Sequence, residues 1–220
     1  MAMDDTKTNL ETSALDTCVQ HGREILASQL LLIKDKGYDF APQFKQMTIQ
    51  LYLVGVMWRH GKNLDLSVDA REHAFASLHS MLVNDGMKKK GAQQRIEFLR
   101  KMSRLADGSN AFAATIGYEA VPGDISLTTI FDEYLNEVRV SGALWRLYER
   151  TKKTMIIGGG AAAFVAIWAI TLYMPESNGI AILAAGVAAA ALVVIPAFLI
   201  GVLIYWVKIK KSRPPTLSPP

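Results

Sequence analysis

Hydrophobic and polar residues follow two regimes along this chain. Up to Lys153, apolar positions recur at helical intervals between charged ones; from Thr154 to Val207, 54 residues hold a single charge, Glu176. In the first regime, Thr8-Asn9-Leu10-Glu11 has capping-box spacing, and Leu15, Val19, Leu26, Leu30 and Ile33 predict the inward stripe of a helix ending at Lys36-Gly37. Gly22 is expected to loosen the middle of that helix. After Pro42, the stretch from Phe44 to Trp58 is apolar almost all round and too short to span a bilayer. It predicts a central core helix, with a membrane-surface helix as the alternative.

Asp69 followed by Glu72 predicts the capped start of a third helix, which Asn84-Asp85-Gly86 breaks. Lys88 to Ala106 predicts a fourth, with Ile96, Leu99, Met102 and Leu105 inward and Arg95, Arg100, Lys101 and Arg104 outward. Gly108, Ser109, Gly117, Pro122 and Gly123 mark residues 107–125 as a long connection or a short helix around Ala111 to Ile116. A last helix is expected from Leu127 to about Thr151, able to continue into the apolar region unless Gly142 or Gly158-Gly159-Gly160 interrupts it.

In the second regime, Thr154 to Met174 offers 21 uncharged residues. At helical rise they cover roughly 31 Å, close to a bilayer's hydrocarbon thickness. Pro175 to Gly179 reads as a turn, and Gly179 to Val207 is long enough to cross again if tilted or kinked, Pro196 being the kink position. The fold class is therefore all-α. About five helices form an N-terminal cytoplasmic domain over 1–150, a transmembrane hairpin occupies 151–207, and a basic, Pro-rich cytoplasmic tail covers 208–220.

Charge gives the hairpin a direction. Arg146, Arg150, Lys152 and Lys153 precede the first span and Lys208, Lys210, Lys211 and Arg213 follow the second, whereas the turn holds only Glu176. The positive-inside rule places both ends in the cytoplasm, with Arg150, Lys152, Lys153 and the tail cations at the lipid headgroups. Tyr205 and Trp206 suit the same boundary, Tyr173 the opposite one, and Trp168 is expected to pack between helices. The lack of an apolar stretch in Met1 to Leu10 speaks against a cleaved signal peptide, and a bacterial inner membrane is favoured.

The chain has 220 residues and a net charge of +4, but its first 153 residues hold 20 Lys and Arg against 19 Asp and Glu. The basic character thus belongs to the tail, and a nucleic-acid partner is not expected. One cysteine, Cys18, excludes a disulfide framework and a Cys-based zinc cage. His21, His60, His73 and His79 lack paired metal-ligand spacing, and no nucleotide-binding glycine loop or nucleophile elbow occurs. Asp132, Glu133 and Glu137 read as a solvated helix face, and the run Met87-Lys88-Lys89-Lys90 with Arg95, Arg100, Lys101 and Arg104 likewise, with contact to anionic lipid headgroups as its alternative. No catalytic residue, cofactor, metal or small-molecule substrate is expected.

Within the spans, Gly158, Ala162 and Ala166, and Ala181, Ala185 and Ala189 or Gly186 and Ala190, form small-residue faces for close helix packing. No ionisable group is available for a proton relay or charged filter. These features predict a membrane-anchored interaction or assembly module, with lipids and a partner protein or a second copy as its contacts. The alternative is an oligomeric pore or membrane-remodelling protein assembled through the small-residue faces.

Overall fold

The computed structural model describes residues 2–64, 69–104 and 109–212. Among them the chain is helical without a strand, in the order α1 (Ala2–Lys36), α2 (Pro42–Asn63), α3 (Ala70–Asn84), α4 (Lys89–Met102), α5 (Ser109–Glu119), α6 (Ser126–Glu133), a 3-10 turn (Val138–Val140), α7 (Gly142–Tyr173) and α8 (Gly179–Ser212). It divides into two compact units, Met1–Tyr38 with Pro42–Asn136, and Asp39–Ala41 with Glu137–Pro220.

In the first unit α2 is the central helix. Leu51 to Met57 are buried without interruption, as expected of a helix apolar all round, and α1, α3 and α5 pack against it. The closest approach is α2 on α5. A Cβ on Gly55 would run into the backbone of Ala114 and Tyr118, and one on Gly117 into the Tyr52 carbonyl. Gly117, read above as a breaker, is therefore a packing position inside a helix that reaches from Ser109 to Glu119.

Helix α1 begins at Ala2, so Thr8 to Glu11 lie within it rather than at its start. Its buried residues are Cys18, Val19, Gly22, Ile25, Gln29 and Ile33; of the expected stripe Val19 and Ile33 are buried, Leu15 and Leu26 half-buried and Leu30 exposed. Gly22 does not loosen the helix but brings it against α2, where a Cβ would sit 2.7 Å from Met57 Cε. Gly37, at φ +61°, ends the helix in the left-handed conformation that glycine adopts without strain.

Asp69 caps α3, its carboxylate accepting the Arg71 N–H at 2.9 Å. Glu72 does not close a capping box; it pairs with Arg100 of α4. Arg95 also points inward, donating to Gln50 Oε1 at 2.6 Å, so two of the four cations expected to face solvent tie α4 to α2 and α3 instead. Long aliphatic stems make this possible, since the guanidinium reaches a polar partner while the methylenes cover apolar surface; Arg100 lies over the Phe75 ring. Leu105 and Ala106, expected at the end of α4, lie outside the described residues.

The helix expected from Leu127 to Thr151 is broken. Tyr134 to Asn136 form a turn after α6, a 3-10 turn follows, and α7 starts at Gly142. The cause lies in the second unit, where Asp39–Ala41 clasp this stretch: Ala41 N–H donates to Val140 O at 2.7 Å and Gly142 N–H to Asp39 O at 2.9 Å. Backbone groups used there cannot extend a helix. The Asp39 carboxylate receives the Arg146 fork at 2.6 and 2.8 Å, which holds its pKa below the usual carboxylate range. From Gly142 onward α7 is unbroken through Gly158-Gly159-Gly160.

Candidate functional site

Two helices, Gly142–Tyr173 and Gly179–Val207, are long and apolar enough to cross a membrane. They pack along one seam. A Cβ on Gly159 would lie 2.8 Å from Val194 Cγ2, one on Gly158 3.1 Å from Val193 Cγ1, and one on Gly186 2.8 Å from Ile167 Cδ1 and 3.6 Å from the Ala163 carbonyl. Of the small residues singled out in the sequence, Ala162, Ala166, Ala185, Ala189 and Ala190 are half-buried and Ala181 is exposed. Gly159 and Ala163 also stand at the closest contacts; they sit one position beyond Gly158 and Ala162 in the same small-residue run. Trp168, expected to pack, faces outward.

Pro196 lies inside α8 on an exposed face, and the helix runs past it to Ser212. Arg150, Lys152 and Lys153 are exposed on α7. Lys208, Lys210 and Lys211 fall in the last turns of α8, and Arg213 lies outside the described residues.

The first unit carries a groove of about 390 Å³ between α1, α2 and α3, with Leu26, Ile49, Leu53 and Leu82 in its walls and Lys45 and Asp85 also lining it. Asp132 is engaged by Lys36 and Tyr38, and these two hydrogen bonds lower its pKa. Three helices bring His21, His60 and His73 close together. His21 and His60 stack with ring centroids 4.3 Å apart, and His73 Nδ1 is 3.5 Å from where a Cβ on Gly61 would stand. Among the described residues no group of three His, Cys, Asp or Glu is arranged to hold a metal ion.

No family model, curated protein or solved structure matches this chain.

Burial, and then the charges of His21 and His73, hold the His60 imidazole below its ordinary pKa. A lowered folded pKa means that the unfolded chain binds the proton first. The stability carried by neutral His60 is complete above its unfolded pKa and is lost as pH falls through the lowered folded value. Melting of the full chain in detergent is expected to weaken from about pH 7.5 to about pH 5, with a shallower dependence in His60→Gln. An unchanged slope in that variant would assign the pH response to other groups.

Proposed function

We propose that the protein is a membrane-anchored interaction module. In this reading α7 and α8 hold it in a bilayer with both chain ends on the cytoplasmic side, and the helical body docks a partner protein. The observation that supports it is the contrast in apolar surface. The first unit has a core of its own, in which Leu51, Val54, Phe75, Leu99 and Phe131 are buried, whereas among the described residues of α7 and α8 no Leu, Val or Phe is buried, with Leu192 77% exposed and Phe164 71%. Lys and Arg flanking the spans, against the lone Glu176 in the turn, support the orientation.

The groove between α1, α2 and α3 is where the body offers a partner an apolar surface. A photo-crosslinking residue at the exposed Gln46, in full-length protein in its native membrane, is expected to yield one discrete protein adduct. Ile49→Glu, which puts a charge into the groove, removes it, and a crosslinker at the exposed Glu97 yields none. Only uncrosslinked chain at Gln46 would count against docking at this surface.

The second reading, a pore or membrane-remodelling assembly, draws on a different observation. With the seam occupied within the chain, Ala181, Ala184 and Ala188 remain exposed along α8, where another hairpin can approach closely. Adducts of two chains from a crosslinker at Ala184 would favour it.

A further inference from the structure

The second unit holds a larger cleft, of about 690 Å³, between the start of α7 and the end of α8. Its size lies in the range of small-molecule sites, roughly 300–1,000 Å³. The walls graduate in chemistry. Met155, Ile156, Phe198 and Val202 lie toward the middle of the helices, Trp145, Tyr148 and Tyr205 nearer their ends, and Arg139 and Lys152 supply the charge. No lining residue is acidic, and among the described residues no carboxylate pairs with Arg139 or Lys152. Gly201 keeps the floor low, since a Cβ there would come within 3.2 Å of Thr151 Cγ2.

We infer that this cleft binds one anionic phospholipid, its phosphate against Arg139 and Lys152 and an acyl chain along Met155, Ile156, Phe198 and Val202. Three features select this occupant. Apolar depth with an aromatic, cationic mouth reproduces the profile of a lipid from chain to headgroup. Two exposed cations without a carboxylate partner among the described residues favour net negative charge, which a zwitterionic lipid does not bring. The chain's own tail is unsuited, because Lys208, Lys210, Lys211 and Arg213 would set like charge against like. The inference rests on insertion of α7 and α8 in a bilayer but not on docking of a protein, so a failed crosslink at Gln46 leaves it standing.

Native mass spectrometry of the full chain in mild detergent, offered equal phosphatidylglycerol and phosphatidylcholine with the same acyl chains, tests it. Phosphatidylglycerol is expected to be retained about tenfold over phosphatidylcholine, two cations each contributing up to about fivefold. The double variant R139Q with K152Q brings the ratio to parity. Val202→Trp, which fills the cleft from a partly exposed position, loses the bound lipid while helicity by circular dichroism is unchanged. Neutralising Lys208, Lys210 and Lys211 to Gln keeps the preference. Equal retention of the two lipids by the native chain, a preference that follows the tail lysines, or loss of bound phosphatidylglycerol when inorganic phosphate is added in equal amount each overturns the assignment.

Discussion

Alanine at Gly55 or Gly117 is expected to cost the helical body about 3 kcal/mol or more, although alanine is the better helix former by about 1 kcal/mol. The sign follows from what the new methyl meets. At Gly55 it is the Ala114 carbonyl and the Tyr118 N–H, and at Gly117 the Tyr52 carbonyl. All are backbone atoms within helices and cannot turn aside as a side-chain end would. The helices would have to part, and α2 would lose contacts around Tyr52 and Val54, both buried in the core. Gly91→Ala in α4 is the control, because the added methyl meets only Met87 Cγ at 3.6 Å and Sδ at 4.0 Å. That variant should gain about 0.5–1 kcal/mol from propensity. Denaturation midpoints of the three variants in detergent micelles decide the matter. Equal and small changes in all three would mean that α2 and α5 do not touch.

Gln29→Leu, a change that sequence pattern would call an improvement, is expected to destabilise by about 3 kcal/mol. Gln29 is fully buried on α1; its amide donates to the Asp124 carbonyl and to Asp124 Oδ1, both at 2.8 Å, and its carbonyl accepts the Leu127 N–H at 3.1 Å. Leucine would fill the volume but leave the buried Leu127 N–H without a partner and remove a donor from Asp124. Burial alone would raise the Asp124 pKa, yet bonds from the Ser126 hydroxyl, the Val121 and Ser126 N–H groups and Gln29 bring it below the ordinary value. A depressed folded pKa adds stability above the unfolded pKa, and that stability is lost as pH falls through the folded value. With Gln29 replaced, acid unfolding should therefore begin at a higher pH, and overlapping acid limbs for native and variant chains would separate Gln29 from this network. Tyr52, whose hydroxyl lies 2.8 Å from Ser126 Oγ, belongs to the same cluster, and burial pushes its pKa up to about 12.

Much of this architecture was legible one residue at a time. Asp69 announces the start of α3, Gly37 and Gly86 sit at positive φ where α1 and α3 give way, and the charge-free run after Lys153 marks two long apolar helices. These signals are local, because a cap, a left-handed turn and a span length each depend on a few consecutive residues. The misread positions share the opposite property. Gly117 and Gly22 look like weak points in a single helix and become contact points once a second helix lies across them. Arg95 and Arg100 look solvated until a polar partner on a neighbouring helix comes within reach. The break between α6 and α7 has no proline to announce it, since it is made by Asp39–Ala41, about a hundred residues away in the chain.

The candidate surfaces divide in the same way. The seam of the hairpin could be narrowed to runs of glycine and alanine, because only small residues admit close backbones. Which of two adjacent positions meets the partner helix depends on rotation about the helix axis, which a run of consecutive small residues leaves open; packing placed Gly159 beside Val194 and Gly186 beside Ile167. The cleft that unites Arg139, Lys152 and Phe198 could not be foreseen from any of its parts. By itself the sequence determined an all-helical chain with two apolar spans and a basic end, since hydrophobic period, length and charge are additive along the backbone. Which glycines are contacts, which cations face inward and where the cavities open were decided only by tertiary structure, because each is set by what a distant segment brings within a few ångströms.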